Sequence, residues 1–156
     1  MTPIDALHQF FGFESFRGSQ AAIIDRVLGG EHALVIMPDH LHAIWTLPEG
    51  DSDFSSRWAV VKRKFVAQLP NVSASPWQSR FWEHRIRNDV DFARHVDYIH
   101  YNPIKHNLCA CAHAWPHSTF SRWVESGGYE RSWQCGCDGR RPIAPNFDAM
   151  GELELE

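Results

Sequence analysis

No run of the 156-residue chain reaches the about 20 consecutive apolar residues that a membrane-spanning helix requires, and no charged-then-apolar leader opens it. A membrane protein and a classically secreted one are both disfavoured, and the cytoplasm is the expected compartment. An excess of positive charge is lacking too: 15 Lys and Arg against 19 Asp and Glu give a net charge of −4, which argues against a generic polyanion binder. No Gly-rich loop followed by Lys and Ser or Thr is present to cradle nucleotide phosphates, so ATP hydrolysis is not expected. There is no internal repeat.

Cysteine is sparse. Its four copies fall as Cys109-x-Cys111 and Cys135-x-Cys137, with His106, His113 and His117 nearby. Zinc-binding knuckles usually space their cysteines by two to four residues, and one intervening residue is tighter than that pattern. Reduced cytosolic thiols are therefore the favoured reading, with a zinc site as the alternative.

What is present supports one ordinary domain, since 44% of residues are hydrophobic and 13% aromatic. Charge is unevenly distributed. Residues 57–94 carry 8 basic side chains against 3 acidic ones, a local positive face within an acidic total. Binding follows the local field more than the isoelectric point, so a polyanionic partner stays open.

Apolar periodicity over 4–11 and 20–28 predicts two short helices, the second capped by Ser19 and stopped by Gly29-Gly30. His32 to Met37 and Leu41 to Leu47 read as strands joined at Pro38-Asp39, hence a hairpin. Ser55 or Ser56 can cap a helix bearing Trp58, Val61, Phe65 and Leu69 on one face, with Lys62, Arg63 and Lys64 covering its flank and back. Gln78 to Ile86 reads as a strand or extended segment, and Asp89 can cap a helix over 90–101 that Asn102-Pro103 closes. Residues 135–156 read as a loose acidic tail.

Two constellations carry chemistry. Side chains alternate along a strand, so His40 and His42 share one face while Leu41, Ala43 and Trp45 take the other, expected to be the core side. Two adjacent imidazoles make half of a divalent-metal site, although an ordinary surface pair has the same spacing. On the helix, Tyr98 and Asn102 are four apart and therefore neighbours. They lie beside the stripe of Phe92, Val96 and Ile99, whereas Tyr101 points away, towards solvent. Two amphipathic tyrosines with no further role fit that pattern as well.

The stretch Val35-Ile-Met-Pro-Asp-His-Leu-His-Ala-Ile-Trp resembles the His-hydrophobic-His block of the REP-associated tyrosine transposases, single-tyrosine HUH enzymes. The resemblance continues through Trp58 to Phe65, Phe81-Trp82-Glu-His, Tyr98-Ile-His-Tyr-Asn-Pro-Ile-Lys-His and Trp115-Pro-His-Ser-Thr-Phe, covering about residues 33–134 in the family's order. It implies an α+β, ferredoxin-like HUH domain, an antiparallel sheet with helices on one face. By position His40, His42 and Asn102 would be ligands of Mg²⁺ or Mn²⁺, and Tyr98 the nucleophile. His95, one turn before Tyr98, is a candidate assistant or a plain surface histidine.

The implied substrate is single-stranded DNA folded into a hairpin, cut and rejoined through a 5′-phosphotyrosine. Lys62, Arg63, Lys64, Arg80, Arg85 and Arg87 are the candidates for tracking phosphates, and Trp77, Trp82 or Trp115 for stacking bases; a solvated helix face and ordinary core tryptophans are the alternatives. Both monomer and homodimer are open.

The chain departs from the family at its start. Residues 7–38 resemble the beginning of RecQ-type DNA helicases, with Phe16-Arg17 and Gln20 in the region that contacts adenine there, and no counterpart of the family's central first strand is found. The expected organisation is a helicase-like segment over 1–30, a transposase-like domain over 31–134 and the tail. The alternative function is a degenerate remnant that binds hairpin DNA without cutting it.

Overall fold

The computed structural model describes residues 32–69 and 74–147. The two helices expected over 4–11 and 20–28, and all of the helicase-like segment before residue 32, lie outside the described residues. The described chain separates into two units, residues 32–46 with 87–147 and residues 47–86.

The first unit is α+β. Strands β1 (Ala33–Ile36) and β2 (Leu41–Ile44) pair antiparallel, with Val35 opposite His42 and Ala33 opposite Ile44. Met37 N–H donates to the His40 carbonyl at 2.8 Å, closing the two-residue turn at Pro38-Asp39 that the sequence predicts. Proline there fixes φ and needs no donor. The other edge of β1 is also paired: Ile36 N–H donates to His117 O at 2.8 Å and Thr119 N–H to Leu34 O at 2.9 Å. On β2 the outward backbone groups of Leu41 and Ala43 have no strand beside them among the described residues.

Helix α2 (Asp89–Lys105) lies across this hairpin. Asn88 rather than Asp89 caps it, its side chain accepting from Asp91 N–H at 2.9 Å, and Asp89 takes the first helical position, where an acid favours the dipole. The helix also runs past Tyr101. Pro103 removes only one hydrogen bond this close to the end, and the chain closes in a Schellman turn. Asn107 adopts φ 57°, with Leu108 N–H donating to Pro103 O at 2.9 Å and Asn107 N–H to Ile104 O at 3.0 Å.

Ala33, Val35 and Met37 meet Val96 and Ile99 in a core that Ile44, Phe92, Trp115, Trp123 and Tyr129 flank. Full burial stabilises by about 1.5–3 kcal/mol for each of the Val, Ile and Met side chains. A second cluster joins Tyr101, Ile104 and Ala112 to Phe120, on helix α3 (Phe120–Glu125). Thr119 precedes α3 without capping it, because its hydroxyl accepts from Leu34 N–H at 3.0 Å and meets His100 Nε2 at 3.0 Å.

The tail is held as far as it is described. Cys135 bridges to Cys111, and Phe147 packs on the second cluster. The second unit holds helix α1 (Phe54–Val66), capped by Asp53 and not by Ser55 or Ser56. Residues 78–86, expected as a strand or an extended segment, form no strand; they follow Trp77, whose ring sits 5.1 Å from Phe65 and 6.3 Å from Trp58.

Candidate active site

Opposed residues of an antiparallel pair project to the same side of the sheet, so the pairing of Val35 with His42 decides which way the histidines look. Val35 is fully buried beneath α2. His40, His42 and Ile44 therefore face the helix, and Ala43, expected in the core, is exposed. The two-residue alternation holds, with its sense opposite to that expected.

This inversion brings the strand and helix residues together. The His42 ring lies 5.4 Å from that of Tyr98 and 5.0 Å from that of His40, and His40 Nε2 is 3.4 Å from Asn102 Oδ1. Tyr98 and Asn102 are buried. Burial, reinforced by His40, Lys105 and His106, lowers the His42 pKa to about 4, so at neutral pH its ring carries a free lone pair.

His40 Nδ1 lies 2.6 Å from the Asp39 carboxylate, whose pKa that hydrogen bond lowers. With the proton on Nδ1, a neutral ring presents a lone pair at Nε2. Nε2 and Asn102 Oδ1 are then two acceptors facing each other. Asn102 Nδ2, meanwhile, is buried without a hydrogen-bond partner among the described residues. An amide that turns its oxygen to a lone pair and leaves its NH₂ orphaned fits a cation at that point. Two imidazoles and an amide oxygen make a donor set for a divalent cation.

Two neighbours were not anticipated. Lys105 Nζ donates to the Tyr98 oxygen at 3.3 Å, and the His106 ring sits 5.3 Å from that of His40. Seven residues separate Lys105 from Tyr98 and four separate His106 from Asn102, both repeats of one helical face. Burial, with His40 and Lys105 adding to it, lowers the His106 pKa.

Other expectations fail. Tyr101 is buried in the second cluster rather than solvated. His95 is buried rather than on the surface, Nδ1 donating to Asp91 O at 2.8 Å. Trp115 donates from Nε1 to Ile36 O at 3.1 Å as part of the fold.

Of the basic candidates, Lys62, Arg63, Lys64, Arg80 and Arg85 belong to the second unit, where Arg63, Arg80 and Arg85 are exposed. Lys62 donates to Gln78 O at 3.2 Å and lies 5.3 Å from the Phe81 ring, so its ammonium is engaged. Trp82 is half exposed. Arg87, in the first unit, pairs with Asp91 at 3.1 Å. Among the described residues no helix is long and apolar enough to cross a membrane.

No family profile matches the chain. A solved structure, that of the REP-associated tyrosine transposase bound to a REP hairpin, superposes with a TM-score of 0.67 at 42% identity, covering 83% of this chain and 75% of that one. The chain belongs to the REP-associated tyrosine transposases. The relative from Escherichia coli (strain K12), a REP-associated tyrosine transposase, is 51% identical over 104 residues, 65% of this chain and 61% of its own length. A putative REP-associated tyrosine transposase of Haemophilus influenzae is 41% identical over 113 residues, 65% of this chain and 64% of that protein. The chain thus spans somewhat under two thirds of the curated transposases it matches. Its α+β fold, hairpin beneath a tyrosine-bearing helix, is that of a transposase of this family.

Proposed function

We propose that the protein is a cytoplasmic, metal-dependent nickase and ligase of single-stranded DNA at hairpin sequences, with Tyr98 as nucleophile and His40, His42 and Asn102 as cation ligands. The observation that carries this reading is the meeting of the Tyr98 ring, both imidazoles and the Asn102 oxygen on one side of the hairpin. A bound Mg²⁺ or Mn²⁺ would withdraw charge from the scissile phosphate.

The rest falls to the chain's own groups. Tyr98 Oη attacks phosphorus and gives up its proton; the phosphorus–O3′ bond breaks, and the departing 3′ oxygen takes up a proton. A 5′-phosphotyrosine and a free 3′-hydroxyl result, and because one phosphodiester replaces another, rejoining needs no ATP. Lys105, donating to the phenol oxygen, stabilises the charge that develops there. Asp39 holds the His40 ring. Arg63, Lys64, Arg80, Arg85 and Arg87 would track phosphates, Lys62 less so because it is engaged, and Trp82 would stack a base.

A labelled hairpin DNA incubated with Mn²⁺ should become covalently attached, and Tyr98→Phe should abolish the adduct. An adduct that survives the substitution removes Tyr98 as nucleophile. The second reading, a hairpin-binding remnant, is favoured by the outer edge of β2, beside which no strand lies among the described residues, and by the sequence's lack of a counterpart to the family's first strand. Salt-dependent binding without any metal-dependent adduct would select it.

A further inference from the structure

Away from the histidines of the hairpin, three thiols and an imidazole meet. The ligand atoms of Cys111, His113, Cys135 and Cys137 all lie within 4.8 Å of one another. Cys135 Sγ is 2.6 Å from Cys111 Sγ and 2.9 Å from Cys137 Sγ, closer than separate thiols rest and longer than the about 2.05 Å of a disulfide. We infer that these four residues form a structural zinc site of the Cys₃His type.

The backbone explains how so short a spacing works. Cys111 and Cys135 form an antiparallel bridge, and Gly136 N–H donates to Ala110 O at 2.8 Å. On extended backbone, residues two apart share a side, so Cys135 and Cys137 both reach the bridge partner. A knuckle spaced by two to four residues turns to do this; here pairing does it instead. Gly136, between them, has no room for a side chain: a Cβ would stand 2.7 Å from Arg140 O and 3.1 Å from Ala110 O. His113 completes the set. Its Nδ1 donates to Arg131 O at 3.1 Å, which leaves Nε2 as the lone-pair nitrogen, the usual outer-shell arrangement of a zinc histidine.

Four soft donors, three sulfur and one nitrogen, suit tetrahedral Zn²⁺ with Zn–S about 2.3 Å. Binding would release the three thiol protons to solvent. Cys109 is the internal control: it packs on the Tyr101 cluster and is not one of the four. The site would tie the 135–137 segment to the chain leaving α2, and so fix the segment that carries Phe147, whose ring lies 5.3 Å from that of Tyr98.

Purified full-length chain, expressed in zinc-supplemented medium under reducing conditions, tests this by metal analysis and by Co²⁺ substitution. One zinc per chain is expected, resistant to mild chelation, with thiolate-to-Co²⁺ charge-transfer and tetrahedral ligand-field bands in the substituted protein. The thiolate bands distinguish this site from the His40–His42–Asn102 cluster, and His40→Ala/His42→Ala should keep them. Cys137→Ser, at an exposed position, should lose the stoichiometric metal, whereas Cys109→Ser should retain it. A metal-free chain in the presence of equimolar Zn²⁺, or a mass two hydrogens lower from a Cys111–Cys135 disulfide, would overturn the inference. So would thiolate bands that persist in Cys137→Ser or vanish in Cys109→Ser.

Discussion

Lys105 Nζ sits 3.3 Å from the Tyr98 oxygen and 5.0 Å from its ring centroid. A neutral phenol gains little from that ammonium; an oxygen acquiring negative charge gains much more, so the contact favours the reacting state over the resting one. Lys105→Met should slow single-turnover adduct formation about 100-fold while hairpin affinity changes far less. Equal rates at saturating DNA would remove Lys105 from the reaction. Neither Lys105 nor His106 is legible in the sequence as part of the site, because Asn102-Pro103 reads as the helix end and both residues lie beyond it. His40 and His42 were legible, since a two-residue period survives whichever side of the strand faces the core.

His100 gives the residue scale a pH signature. It is buried beside Phe120 and Tyr129, with Nε2 on the Thr119 hydroxyl, and burial lowers its pKa to about 3. An unfolded histidine takes up a proton near pH 6.5 and the folded one does not, so the unfolded state binds more protons between those values. Stability should be unaffected by this group above pH 6.5 and fall below it, by on the order of 1 kcal/mol per pH unit, until about pH 3. Urea titrations of wild type and His100→Gln at pH 7.5, 6 and 5 check this. A wild-type slope no steeper than the variant's would show that His100 does not carry the loss.

At the scale of elements, both helices of the first unit that precede loops end in one way. Asn107 takes the left-handed position after α2, and Gly127 takes it after α3 at φ 81°, with Gly128 N–H donating to Trp123 O at 2.8 Å. A β-branched residue has no comfortable left-handed conformation, so Gly127→Val should cost about 1–2 kcal/mol. Thermal unfolding measures it, and an unchanged Tm would mean the turn can re-form otherwise. Turn chemistry also explains which elements the sequence disclosed. Pro38-Asp39 marked the hairpin because proline's fixed φ and the missing donor leave few alternatives. Helix α3 carries no comparable mark in the sequence, because it depends on Thr119 being engaged by β1 and α2, a tertiary fact with no local period.

The molecule as a whole divides its burial unequally. Ten of the 17 residues of α2 are buried, including Val96, Ile99 and Tyr98, while α1 in the second unit buries none of its 13. Within that unit, Trp58, Phe65, Trp77 and Phe81 touch edge to face, but Phe81 remains 40% exposed. Helical hydrogen bonds that water can reach open by local fluctuation, whereas those under a packed core open only when the core does. Hydrogen exchange of the full chain should therefore show residues 54–66 losing protection at least about tenfold faster than residues 95–104, a difference of about 1.4 kcal/mol in opening free energy. Hairpin DNA, if the basic side chains of 62–64 and 80–85 engage it, should slow exchange in α1 in proportion to occupancy, and added salt should reverse the slowing. Equal protection of the two helices in the free protein would refute the unequal ordering. Exchange in α1 indifferent to DNA would separate the phosphate-tracking role from these residues and leave the histidine–tyrosine cluster to act on strands held elsewhere.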